Sequence, residues 1–501
     1  MLHVRRRRFS KKVYTQRRVF LNAATFFPGR PWLLFKPENG IMLENKSIIR
    51  GEYRRPTGCQ WLENYTFKIN TFGCPVNQGE SAALEAAMGK AGFCRTEGRA
   101  DIYIINSCVV TGSAAAEARR VVRKIKRESP GVMVVLAGCY PQVYHSDLAG
   151  ELPEADIIIG TKGRSNLAEL IRRRLAGVAN GARLMVEEHT DSDSFEEMPA
   201  AAAKRTRPVV KIQEGCNEHC TYCIVRKARG RSRSLPAEKV LAQVRALLES
   251  GHREIILAGN QLGLYGSDLG DTGLPDIIQA VSRLPYDFRI RLGYVEPMNV
   301  TEKLLSTVAE NPKVCNYLYL PVQSCSDRVL KKMGRRYRVD DFVRIVARAR
   351  ELMPGISVWT DLIAGFPGEE DADHNATVTM MRKLALSRLH VFPYSPRPGT
   401  PAAHLADNVP PDVKKERAAQ LQQLGRELTR AYNKAQVGKE VRVLVERIVE
   451  EDTGHRYAEG YADNHVPVRI PTGDSTTCHP GEFIRVRLKQ VDNNYINGIL
   501  G

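Results

Sequence analysis

A chain of 501 residues is too long for one ordinary core, and its 43% hydrophobic and 26% charged content is that of a globular protein built from several domains. No apolar run approaches the roughly 20 residues of a membrane-spanning helix, so no membrane association is expected. A net charge of +18 points to a polyanionic partner, nucleic acid ahead of a membrane surface.

That charge is unevenly placed. Residues 1–60 hold fourteen Lys or Arg against Glu38, Glu44 and Glu52, and so supply +11 of the +18. Residues 1–63 read as a disordered basic extension. The Arg-rich, acid-free stretch 1–37 has the composition of an organelle transit peptide; the alternative is an upstream-extended reading frame whose true start is Met42. Eleven cysteines, an odd number with no recognisable secretory signal, argue against a disulfide scaffold and for metal or redox chemistry. A cytoplasmic location follows, or an organelle if the extension is a transit peptide.

From residue 64 short strands alternate with helices. Tyr65–Asn70, Asp101–Asn106, Val132–Ala137 and Asp156–Ile159 read as strands, with helices near 77–91, 112–128 and 164–176. Repeated strand–helix units imply a parallel sheet covered on both faces, over residues 64–186. Residues 187–207, an acidic tract followed by alanines and a basic run, lack periodicity and read as a linker.

Alternation resumes with strand candidates Val209–Gln213, Glu254–Ala258, Phe288–Gly293, Tyr317–Pro321, Ile356–Ile363 and Arg388–Pro393, and helices such as Ala237–Ser250 and Asp340–Leu352. Six units in residues 208–436, which include a helical tail near 411–436, suit an open, partial (β/α)6 barrel. Residues 437–501 turn all-β: Val441–Arg447, Tyr457–Ala462, Val466–Ile470 and Phe483–Gln490 predict a small antiparallel barrel. The fold class is α/β with this β-barrel appended.

The sharpest chemical signal is Cys216-Asn-Glu-His-Cys220-Thr-Tyr-Cys223, directly after the first barrel strand. Three thiolates hold three irons of a 4Fe–4S cube and leave the fourth open to S-adenosylmethionine. The competing reading is zinc or scattered buried thiols, but structural zinc wants four ligands and the spare candidate, His219, lies inside the loop. Cys74, Cys108 and Cys139 each follow a strand of the first domain, and side chains past the carboxyl ends of parallel strands converge in one crevice. That is a geometry for a second cluster, although a lone cysteine after a strand is more often a small core residue. Cys59, Cys94, Cys315 and Cys478 show no such register.

Several motifs together resemble the radical-SAM methylthiotransferases over about residues 65–501. They include Asn70-Thr-Phe-Gly-Cys74-Pro-Val-Asn77, Asn106-Ser-Cys108-Val-Val-Thr111, Gly138-Cys139-Tyr-Pro-Gln142 and Gly215–Cys223. Leu320-Pro-Val-Gln-Ser324, Asp361-Leu-Ile-Ala-Gly-Phe-Pro-Gly368 and Pro393-Tyr-Ser-Pro-Arg-Pro-Gly-Thr400 continue the match. The resemblance implies a methylthiotransferase domain, a radical-SAM partial barrel and a C-terminal TRAM barrel. It further implies two 4Fe–4S clusters and two uses of S-adenosylmethionine, one as methyl donor to sulfur and one cleaved to a radical that activates a substrate C–H bond.

Within the family, Arg289-Ile-Arg-Leu-Gly-Tyr-Val-Glu296-Pro297 and Ser387-Arg-Leu-His390-Val-Phe-Pro-Tyr-Ser395 look like the branch acting on N6-threonylcarbamoyladenosine at tRNA position 37 (MtaB type). The rivals are the branches acting on isopentenyladenosine or on a ribosomal protein, and, in another class, a non-catalytic RNA-binding iron–sulfur protein. By resemblance, Tyr222, Glu296, Gln323, Ser324 and Asp361 are S-adenosylmethionine contacts; a satisfied polar rim residue is the alternative for each. Cys325 stands where the family has glycine, and its side chain is expected to narrow the pocket. Arg226, Lys227, Arg229, Arg231 and Arg233 follow the cluster loop as phosphate contacts or as a solvated cationic loop. Residues 437–501 are formally −2, yet Arg485, Arg487 and Lys489 alternate on one strand face as a candidate RNA stripe. The implied partners are tRNA, an external one-electron donor such as flavodoxin or ferredoxin, and a sulfur source; the chain is expected to be a monomer.

Overall fold

The computed structural model describes residues 65–110, 112–177, 183–198, 201, 205–270, 272–452, 454–472, 478–492 and 495–501. The basic extension and Cys59 lie outside the described residues. Strands β1 (Thr66–Thr71), β2 (Cys94–Arg95), β3 (Ile102–Ser107), β4 (Met133–Gly138), β5 (Ile157–Ile159) and β6 (Leu184–Met185) form one parallel sheet in the order β2-β1-β3-β4-β5-β6. Its central strands carry long apolar runs because both faces are covered. Ile105, Val134 and Leu136 enter one core cluster, and Ile102, Ile104 and Val135 enter the other. The chain reverses direction across the sheet between β1 and β3, the switch point where open α/β sheets leave a crevice.

Two short strands, β8 (Gln213–Glu214) and β9 (Arg233–Ser234), make a separate antiparallel pair flanking the Cys216–Cys223 loop. Around them β7 (Val209–Lys211), β10 (Glu254–Ala258) and β11 (Arg289–Leu292) form one parallel sheet, and β12 (Tyr317–Tyr319), β13 (Ser357–Ala364) and β14 (Arg388–Pro393) another. Parallel bridges Ile290–Val314 and Tyr294–Tyr319 join them, so β7-β10-β11-β12-β13-β14 is a continuous, open six-stranded arc. One large apolar core lies between this arc and its helices. The partial (β/α)6 barrel expected from the sequence is present.

The last five strands, β15 (Glu440–Glu450), β16 (Arg456–Tyr461), β17 (Pro467–Thr472), β18 (Phe483–Asp492) and β19 (Tyr495–Leu500), close into a TRAM-like barrel in the order β15-β16-β17-β19-β18. Val443, Val445, Ala458, Val468, Val486, Leu488 and Ile496 fill its interior. This barrel seals the amino-terminal end of the larger one. Arg289 and Arg291 each donate through Nε to the buried Glu254 at 2.6 Å, and their outer nitrogens reach the carbonyls of Arg442, Tyr461 and Ala462. The stretch read as a linker is partly anchored: Glu196 accepts from the amides of Gly163 and Ser165, and Met198 is buried. Among the described residues no helix is long and apolar enough to cross a membrane.

Candidate active site

The first thiol triad forms at the switch point of the N-terminal sheet. Cys74 follows β1 and opens the helix Pro75–Lys90, Cys108 follows β3, and Cys139 opens the helix Cys139–Glu151 after β4. Gly73, at φ +102°, lets the first two loops touch: a Cβ there would lie 2.8 Å from Cys108 Sγ. Burial pushes the Cys108 thiol up to about 12, with Cys139 and then Cys74 adding to the rise. Burial also raises Cys74, the Asn77 backbone amide opposes it, and Cys139 adds again. Cys139 Sγ lies 4.0 Å from Asn77 Oδ1, on the helix that Cys74 opens, so the third thiol reaches the same crevice. Asn77 braces them, donating through Nδ2 to the Phe72 and Ser107 carbonyls at 2.9 and 3.1 Å.

The second triad occupies the barrel's carboxyl-terminal rim. Cys216 and Cys223 are each pushed up to about 12 by burial, with Cys220 adding to both. Beside them Arg335, whose side chain is buried, donates to the Glu296 carboxylate and to the Tyr222 hydroxyl. Burial raises the Glu296 carboxyl despite that cation. His219 is held by Arg226 at 2.9 Å.

Burial raises the Tyr294 phenol well above its usual value, and Cys74, Glu296, Cys216 and Cys223 add to the rise in that order. One ring thus lies within electrostatic reach of both sets of sulfurs. The segment after β14 ties the two domains at this place: Arg397 Nε donates to the Val110 carbonyl at 3.2 Å, and the Tyr144 hydroxyl to the Pro398 carbonyl at 3.1 Å.

The other expected residues divide. Asp361 accepts from the Tyr319 hydroxyl, which also lies 2.8 Å from His390 Nδ1. Gln323 takes φ +70° and pairs by its backbone with β13, its amide donating to Asp361 O at 2.8 Å. Ser324 is buried, with Oγ accepting from the Ser326 amide at 3.3 Å. Cys325 does not narrow the pocket: its side chain packs into the barrel core, and burial pushes its thiol up to about 12. Arg229 and Arg233 are no phosphate contacts, being 1% and 7% exposed among the Glu80 and Glu214 carboxylates. Arg231 is exposed and paired with Asp191 at 2.5 Å. Arg485, Arg487 and Lys489 do lie on the solvent face of β18, with Arg487 neutralised by Glu440 at 2.7 Å. Asn77, Glu80, Tyr294, Tyr319 and Arg335 were not singled out from the sequence. Asn77 and Glu80 follow Cys74 at helical spacing, which is the one available signal.

Among the described residues no three His, Cys, Asp or Glu side chains close on a single ion. Tetrahedral thiolates around one zinc stand about 3.8 Å apart. A 4Fe–4S cube takes each thiolate on a different iron and spreads three of them more widely. Each set offers sulfur donors alone, the donor type that iron–sulfur groups take.

An open (β/α)6 arc with three cysteines after its first strand defines a radical-SAM enzyme, here joined to a second sulfur-bearing sheet. Residues 210–381 match the Radical SAM superfamily and residues 66–160 the "Uncharacterized protein family UPF0004". A threonylcarbamoyladenosine tRNA methylthiotransferase (MtaB) of Thermotoga maritima is 35% identical over 429 residues, covering 85% of this chain and 95% of that protein. A tRNA-2-methylthio-N6-dimethylallyladenosine synthase of Chlorobium limicola is 36% identical over 431 residues, covering 84% and 95%. The radical S-adenosylmethionine methyltransferase TsrM of Kitasatospora setae shares the fold, with a TM-score of 0.51 at 16% identity over 68% of this chain and 74% of that one. The chain belongs to the radical-SAM methylthiotransferase family. It is a methylthiotransferase whose mechanism depends on iron–sulfur and S-adenosylmethionine chemistry.

Proposed function

We infer that the enzyme installs a methylthio group on N6-threonylcarbamoyladenosine beside the tRNA anticodon. It would hold one 4Fe–4S cluster on Cys216, Cys220 and Cys223 and a second on Cys74, Cys108 and Cys139. The observation that carries this reading is Arg229, which donates to Cys139 Sγ of one triad and to Glu214, two residues before Cys216 of the other. When bound, these groups supply a radical from S-adenosylmethionine at one side and a sulfur donor at the other. The chain's own residues hold the geometry. Arg335 fixes Tyr222 and Glu296, Tyr319 and His390 orient Asp361, and with Gln323 and Ser324 these form the polar rim for S-adenosylmethionine. Arg485 and Lys489 remain as exposed cations for RNA phosphate, while Arg231, like Arg487, is paired with an acid. A flavodoxin or ferredoxin and a sulfur source complete the cycle.

The choice of adenosine rests on the barrel wall. Tyr319, His390 and Arg388 lie together on neighbouring strands around Trp359, while Leu389 packs outward on Gly425. Such groups suit the amide, hydroxyl and carboxylate of a threonylcarbamoyl substituent, whereas an isopentenyl chain offers them no hydrogen bonds. The second reading, the dimethylallyl substrate, has support in relatives of that name matching over the same span at 36% identity. Mass spectrometry of tRNA nucleosides from a strain lacking the gene separates them. Loss of 2-methylthio-threonylcarbamoyladenosine is expected; loss of the dimethylallyl derivative alone would move the assignment to the second reading. Unchanged nucleosides would leave a ribosomal-protein substrate.

A further inference from the structure

Arg229 lies in the helix Val225–Arg229, six residues after Cys223, and its guanidinium is buried. All five of its N–H groups have partners. Nε donates to Cys139 Sγ at 3.1 Å, Nη2 to Asn77 Oδ1 at 2.8 Å and Glu80 Oε2 at 2.9 Å, and Nη1 to Glu80 and to Glu214 Oε1 at 2.8 Å. The carboxylates are shared with other cations. Arg164 grips Glu80 with two bonds of 2.7 Å, and Lys211 stands 3.0 Å from both Glu80 and Glu214.

Charge then identifies what is missing. Arg229, Arg164 and Lys211 outnumber Glu80 and Glu214, and Arg233 stands 3.8 Å from Glu214 as a further cation. A buried excess of positive charge needs an anion. The acceptor on Arg229 Nε is the Cys139 sulfur. Glu80 belongs to the helix that follows Cys74, and Glu214 and Arg229 flank the Cys216–Cys223 loop, so the network spans both triads.

We propose that Arg229 is a positioning residue that donates a charge-assisted N–H···S bond to the metal-bound Cys139 thiolate, raising the reduction potential of the cluster in the N-terminal sheet. The inference rests on the proposed second cluster. Reduction adds negative charge to a cluster, and hydrogen bonds to its sulfurs favour the reduced form. Arg229 also fixes that thiolate against the loop of the other triad, so the two centres keep one spacing.

The test is a redox titration followed by electron paramagnetic resonance on the full-length reconstituted chain with Cys216, Cys220 and Cys223 changed to Ala. With Arg229 intact, about four irons per chain are expected; their absence overturns the second cluster itself, and this inference with it. Arg229→Lys keeps a cation between the carboxylates but cannot make the sulfur bond and the acid bonds together. With iron retained, its reduced-to-oxidised ratio at fixed potential should fall at least tenfold, a drop of about 59 mV or more for one electron. Arg229→Gln, which loses the charge as well, should fall further. Retained iron with an unchanged midpoint in Arg229→Lys overturns the proposal. So does loss of the folded state in both variants, which would make Arg229 a strut alone.

Discussion

Arg335 shows how much one buried side chain organises at the rim: its guanidinium reaches the Glu296 carboxylate and the Tyr222 hydroxyl, and it lies over the Tyr222 and Tyr337 rings. Removing one partner of a buried ion pair leaves a charge without compensation, at about 3–5 kcal/mol. Arg335→Gln should lose that much stability in denaturant unfolding of the apo chain, and should bind S-adenosylmethionine more weakly when reconstituted. Arg335→Lys should lose less. The two triads were legible in the sequence because each cysteine falls at a fixed place, just past a strand or at close spacing in one loop. Arg229 was not. A sequence does not distinguish a solvated arginine from one gripped by acids 15 and 149 positions away.

At the scale of elements, the seal between the two barrels depends on Glu254. Burial alone would raise its carboxyl, but Arg291, Arg289 and Arg207 outweigh burial and hold it well below the ordinary carboxylate value. A carboxyl lowered on folding stabilises the fold fully above its unfolded value of about 4.3, and that stability drains away as pH falls toward the folded value. Thermal melting of the wild-type chain should therefore weaken steeply below about pH 4. Glu254→Gln should start lower and lose less over the same range; an equally steep acid limb in the variant would remove Glu254 from the account. The last strand makes a second case. Gly498 on β19 faces Val486, whose Cγ1 would lie 2.2 Å from an added Cβ. Gly498→Ala should cost about 1–3 kcal/mol by overpacking a closed barrel, read as a lowered melting temperature. The sequence showed four of the five barrel strands by alternation. It did not show β19, where Asn and Gly interrupt a short apolar run whose pairing is set by the barrel's closure.

For the whole molecule, the arrangement is a sulfur-bearing sheet and a radical-SAM arc facing each other, with a small barrel closing the arc's far end. The order of these parts was readable from changes in hydrophobic period. Their joints were not, since the Arg397 and Arg229 contacts bring together residues far apart in the chain. Such joints depend on which charges end up buried together, and periodicity carries no record of that. The assignment stands most directly on the iron content of the anaerobically reconstituted full chain. About eight irons are expected, falling to about four when either Cys74, Cys108 and Cys139 or Cys216, Cys220 and Cys223 are changed to Ala. Four irons in the unaltered chain, unaffected by loss of Cys74, Cys108 and Cys139, would contradict it.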